Sequence, residues 1–144
     1  MITRVVNVVT VAFVGLLAVT ARADSFRDFA QLDSGRMHAG VRMQLRDDGG
    51  RRGILRLDAS GKGGALIFTP EQWKQVLRAV QSKSGQAEAV SGGSLKVESS
   101  GAGVKLTMVP PSGDSYGPVA VELASASELQ SAVAAVDAEL AKKK

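Results

Sequence analysis

Hydrophobic and polar positions alternate through much of this 144-residue chain, and the places where the alternation stops mark its elements. The first 23 residues do not alternate. Residues 5–19 are apolar apart from Asn7 and Thr10, Arg4 precedes them, and Ala21-Arg22-Ala23 follows. A positive end, an apolar run and small residues at a peptidase site predict a leader cut between Ala23 and Asp24. The competing reading is an uncleaved anchor. The span 5–21 is 17 residues, short of the roughly 20 that cross a hydrocarbon layer, so no stable membrane anchorage is expected after cleavage. Few arginines argue against a mitochondrial leader, and the absence of a following cysteine argues against lipid attachment. The expected compartment is periplasmic or secreted.

Residues 24–34 place Phe26, Phe29, Ala30 and Leu32 among acids, a spacing that predicts a short helix or a packed N-terminal arm. A two-residue period then begins. Val41, Met43 and Leu45 face one way and Arg42, Gln44 and Arg46 the other, Asp47-Asp48-Gly49-Gly50 turns the chain, and residues 53–59 return with Leu55 and Leu57 opposite Ile54, Arg56 and Asp58. After the turn Ser60-Gly61-Lys62-Gly63-Gly64 comes a short strand over 65–68. Thr69, Pro70 and Gln72 then form an N-cap, a first helical position and a capping box, while Phe68 and Trp73 have hydrophobic-staple spacing. Trp73, Val76, Leu77 and Val80 form the apolar stripe of that helix, which Ser84-Gly85 ends.

A second unit repeats this order. Strands are expected over 87–90, 95–97, 104–109 and 119–123, with a breaker-rich loop at 110–117 that contains Tyr116. Ser125 and Glu128 predict a second capping box, and Leu129, Val133, Val136 and Leu140 line the last helix. Lys142, Lys143 and Lys144 suit its negative end. A shift of 56 residues lays Thr69 on Ser125, Trp73 on Leu129, Leu77 on Val133 and Val80 on Val136, with Ala65 on Val121 and Ile67 on Leu123. The expectation is an α+β fold of two antiparallel sheet-plus-helix repeats sharing one core: residues 35–85 and 86–141, with a basic tail at 142–144. Without such sharing, the likeness of the two helix starts is the chance similarity of any strand followed by a capped helix.

Charge changes the picture more than composition does. The whole chain carries 18 Lys and Arg against 14 Asp and Glu, and loss of the leader leaves 16 against 14. That balance excludes a strongly basic protein. The distribution is lopsided: residues 34–83 hold ten basic and four acidic side chains, whereas 84–141 hold two basic and seven acidic. Arg42, Arg46 and Arg56 on the expected strands, with Arg51 and Arg52 at the turn, are the candidate ligand-binding residues, suited to phosphate or another polyanion. The alternative is the solvated side of a small sheet, neutralised by Asp47, Asp48 and Asp58 or by the acidic second unit.

Other chemistry is poorly provided for. The chain has no cysteine, so it lacks disulfides, thiol chemistry and cysteine-held metals, and His38 is its only histidine. The glycines around Lys62 lack the Lys-Ser/Thr pair and following helix of a phosphate loop. Asp47 and Asp48 are adjacent in a turn rather than opposed across a cleft. No catalytic residue, metal or cofactor is assigned, and a small hydrolase ranks below a binding protein.

Residues 41–80, with the hairpin segment Arg51-Arg52-Gly53-Ile54-Leu55-Arg56-Leu57, the glycine-rich turn and Ala65-Leu66-Ile67-Phe68-Thr69-Pro70-Glu71-Gln72-Trp73, resemble the repeat of the purine-rich-element-binding (Pur) proteins and the related single-stranded-DNA-binding transcriptional coactivator domain. The resemblance implies antiparallel strands followed by a helix, duplicated within a chain or across a dimer in a Whirly-like architecture. It places a backbone-binding role on Arg42, Arg46, Arg56, Arg51 and Arg52, and a core role on Phe68 and Trp73. The second unit departs from it, being acidic and lacking an aromatic counterpart to Trp73. The expected function is an exported, non-enzymatic module that binds single-stranded nucleic acid or another polyanion. The alternative is a structural or protein-interaction module that self-associates, the basic half of one copy meeting the acidic half of a homodimer partner.

Overall fold

Residues 24–111 and 118–142 are described by a computed structural model; the leader, the loop 112–117 with Tyr116, and Lys143 and Lys144 lie outside the described residues. Alternation becomes strand wherever it was read. The first sheet runs β1 (Ser25–Ser34), β2 (Met37–Leu45), β3 (Arg51–Ala59) and β4 (Lys62–Phe68), antiparallel and in chain order, followed by α1 (Pro70–Ser82). The second runs β5 (Gly85–Glu88), β6 (Ser94–Ser100), β7 (Gly103–Val109) and β8 (Val119–Leu123), again in order, followed by α2 (Ser127–Leu140). The protein is an α+β fold of two four-stranded antiparallel sheets, each with its helix.

One element differs outright. The segment expected as a short helix or packed arm is β1, the edge strand of the first sheet, paired along β2 from Ser25–Leu45 to Ser34–Met37. A bulge between Asp28 and Ala30 explains the misreading. One extra residue shifts the side-chain alternation, so Phe26 faces out while Ala30 and Leu32 turn toward the core; the resulting spacing imitates a helix.

The start of α1 follows from its sequence. Thr69 Oγ1 accepts from the Gln72 amide at 3.1 Å, Gln72 Oε1 accepts from the Thr69 amide at 3.0 Å, and the Phe68 and Trp73 rings meet edge-on at 5.6 Å. Its end comes slightly early: Lys83, not Ser84-Gly85, takes the left-handed cap conformation at φ 57°. The second helix lacks the expected box. Ala126 occupies its cap position with no side-chain hydrogen bond, and the Ser125 hydroxyl meets Ser127 instead, accepting from its amide at 3.3 Å and lying 3.1 Å from its hydroxyl. Three residues separate Leu123 from Ser127, whereas Thr69 alone separates Phe68 from Pro70, so Ser125 stands too early to cap.

The same spacing corrects the repeat. Helix positions keep the 56-residue shift, with Trp73 and Leu129, Val76 and Ala132, and Val80 and Val136 all buried. The strands do not. Buried Val121 and Leu123 correspond to buried Leu66 and Phe68, not to Ala65 and Ile67, because a one-residue slip turns a strand's side chains to its other face.

The two units share a single buried cluster, as neither sheet covers its own apolar side. Strand β8 and helix α2 lie against the inner face of the first sheet, while α1 lies along β5 and beside α2. Trp73 sits where these layers meet. Its indole N–H donates to the Val133 carbonyl of α2 at 3.0 Å, and its ring rests on Gly53 of β3, where an added Cβ would come within 3.0 Å of Cε3, Cδ2 and Cζ3. Gly53 is therefore a packing requirement of the indole.

Replacing Gly53 with Ala is expected to cost at least about 3 kcal/mol, since a fully buried ring must shift and its hydrogen bond with it; urea unfolding of the variant measures this. The same measurement on Thr69→Ala should show a loss of about 1 kcal/mol, and Ser125→Ala less than about 0.5 kcal/mol, because only the first hydroxyl caps a helix.

Candidate functional site

Strand alternation sends the other face of the first sheet into solvent. Across its register, Asp28 lies beside Arg42 and then Ile54; Gln31 beside Gly40 and then Arg56; Asp33 beside His38 and then Asp58. Gln44 and Arg52 form a further pair toward the β2–β3 turn. Arg42, Arg52 and Arg56 thus share one outward face, with Arg36 in the β1–β2 turn at one end.

Two of the five candidate arginines are elsewhere. Arg51 belongs to the opposite side of β3: its Nη1 donates to the Glu139 carbonyl at 2.6 Å and the Lys142 carbonyl at 3.2 Å. It supplies the positive charge at the end of α2 that the terminal lysines were expected to give, while Lys142 pairs with the Glu139 carboxylate. Arg46 closes on Asp48 within its own turn, Nε to Oδ2 at 3.4 Å. Neither continues the outward row.

The acidic partners come from the strand that periodicity missed. Arg42 Nε donates to Asp28 at 2.5 Å, and its guanidinium stacks 4.7 Å from the centre of the Phe26 ring, itself 50 % exposed. Phe26 is an exposed aromatic on the outward face that a helical reading of 24–34 cannot place; the Phe26–Asp28 alternation ahead of the bulge is the sequence trace of it. With β1 included, residues 24–83 hold eleven basic against seven acidic side chains and residues 84–144 five against seven, so +4 faces −2.

His38 is also joined to β1. Its Nδ1 lies 2.6 Å from Asp33 Oδ1, and Gln31 Nε2 donates to the same oxygen at 3.3 Å. These bonds, His38's first, hold the Asp33 carboxyl below its ordinary value of 3.8. A carboxylate held ionised only accepts, so the imidazole hydrogen resides on Nδ1 and, in the neutral ring, Nε2 is an acceptor. Beside this group is a concavity of about 200 Å³ lined by Gln31, His38, Gly40, Arg56 and Asp58. It brings His38, already bonded to Asp33, near Asp58, but among the described residues no serine or tyrosine lines it. Among the described residues no group of three or more His, Asp or Glu is placed to hold a metal, and no helix is long and apolar enough to cross a membrane.

Compared with protein-family models, curated proteins and solved structures, the chain matches none.

On the inner side, Arg27, Arg51 and Lys142 converge on Glu139, and the Lys142 bond is the main cause of a carboxyl held below its ordinary 4.5. A depressed folded-state value contributes stability above the unfolded value and loses it as pH falls through the folded one. Glu139→Gln should therefore flatten the fall in stability between about pH 5 and pH 3, read from denaturant midpoints across that range. Part of the fall should persist, because Asp33 and Asp48 shift in the same direction.

Proposed function

We propose that this protein is an exported, non-enzymatic binding module that holds an acidic polymer on the outward face of its first sheet. The observation that carries the reading is the common orientation of Arg42, Arg52 and Arg56, with the half-exposed Phe26 ring under Arg42. A row of guanidinium groups on a rigid sheet meets a repeating anion at several points, and each contact releases bound counterions. Arg52 and Arg56 make no ion pair within 4.0 Å among the described residues, Arg52 acting on Asp48 only from further off. Two successive units of four antiparallel strands and a helix support reading the chain beside the Pur and coactivator repeats, whose backbone-binding role then rests on Arg42, Arg52 and Arg56 rather than on Arg46 and Arg51. The leader supports an extracytoplasmic ligand over genomic DNA.

Self-association is the second reading, and the opposite net charges of the two units, +4 and −2, favour it. It makes the same arginines contacts with the acidic half of another copy.

Titration with heparin and with a single-stranded oligonucleotide separates the two. Three guanidinium contacts predict about a 20-fold loss of oligonucleotide affinity between about 50 and about 200 mM salt, and reversal of Arg42, Arg52 and Arg56 to Glu should abolish binding of either polymer. No binding, together with a salt-dependent change in mass by light scattering, would favour self-association.

A further inference from the structure

The concavity over Gly40 does not match a phosphate chain. Gly40 has no side chain, so the floor is backbone, and the Gln31 carbonyl oxygen overhangs it, 3.3 Å from where a Cβ would stand. Around that floor Arg56 offers donors, while Asp58, Gln31 Oε1 and, in the neutral ring, His38 Nε2 offer acceptors. Acceptors predominate. Asp33 holds both the His38 ring and the Gln31 amide from behind, which orients each acceptor before any ligand arrives. A DNA backbone carries acceptors and no donor, so Asp58 meets it only with repulsion. A sugar acid carries one carboxylate for a guanidinium and several hydroxyls to donate to carboxylate, amide and imidazole.

We propose that this concavity, as part of the binding face described above, holds one uronate unit of an acidic polysaccharide. The sugar carboxylate pairs with Arg56. Ring hydroxyls donate to Asp58 and Gln31 Oε1, and the pyranose lies against the Gly40 backbone where any larger residue would lift it off. At about 200 Å³ the space suits a single ring rather than a larger group. The face thus combines a general attraction for anionic polymers, from Arg42 and Arg52, with one position that selects for hydroxyl donors.

The sign of one substitution tests this. Asp58→Ala makes the site more positive, so a purely electrostatic anion site would bind more tightly, whereas a hydroxyl-accepting site loses a partner. Calorimetric titration of the exported chain with oligogalacturonate should give affinity about five- to tenfold lower for Asp58→Ala and also lower for Arg56→Ala. A single-stranded thymidine oligonucleotide of matched charge should lose affinity with Arg56→Ala and hold or gain it with Asp58→Ala. Should Asp58→Ala lower the melting temperature, Gln31→Ala on the edge strand must produce the same selective loss. Unchanged or tighter oligogalacturonate binding by Asp58→Ala, or binding of the oligonucleotide alone, would overturn the uronate assignment and leave the polyanion face standing. Failure of both polymers to bind would overturn both.

Discussion

The buried indole of Trp73 sets the arrangement of the rest. It presents a large apolar surface that must leave water and one N–H that must not be left unpaired when it does. The first demand is met by a ring seated on Gly53 and met edge-on by Phe68, all within the first unit. The second is met by the Val133 carbonyl, sixty positions along the chain in the last helix. One side chain therefore joins β3, α1 and α2, and a second bond from Gln130 to the Val80 carbonyl at 3.1 Å joins the two helices again. The units complete one another: α2 covers the first sheet, α1 covers the edge of the second, and the interior is continuous. A chain without disulfides depends on that interior for its stability.

Because β8 and α2 occupy the inner face of the first sheet, its outer face remains for solvent or a ligand. The charge on that face is mixed rather than uniformly basic. Strand β1 brings Asp28 against Arg42 and Asp33 against His38, while Arg51, which lies next to Arg52 in sequence, turns inward to hold the end of α2. Arginine thus does two jobs in this protein according to the side of the sheet on which it falls: outward, it is available to anions; inward, it clasps Glu139 and the last carbonyls of α2 and fastens the second unit to the first. The same alternation that builds the sheet separates the exposed arginines from those that hold the two units together.

A mixed face changes what kind of acidic ligand fits. Guanidinium alone attracts any polyanion, but carboxylates left among the guanidiniums reject ligands that cannot donate a hydrogen bond to them. In the proposed uronate site, Asp58 with Gln31 and His38 would make a basic surface distinguish anions by their hydroxyls. Phe26, half-exposed beneath Arg42, adds an apolar platform whose use does not depend on nucleic-acid bases.

Local order in the chain determined most of the elements. Alternation around Val41, Leu55 and Leu106, the Thr69-Pro70-Glu71-Gln72 start of α1 and the glycine-rich turns encode strand, cap and reversal within a few residues, and such short-range constraints survive whatever the rest of the fold does. The burial of Trp73 and the common face of Arg42 and Arg56 were legible for the same reason. Tertiary structure decided what local order leaves open. A bulge at Phe29 made a strand out of a helical spacing, two additional linker residues took Ser125 away from the cap, and strand pairing chose the side for Arg51 and the partner for His38. Each depends on which residue stands across from which after distant segments pair, and a shift of one position there reverses the face a side chain occupies without altering the periodicity that predicted the strand.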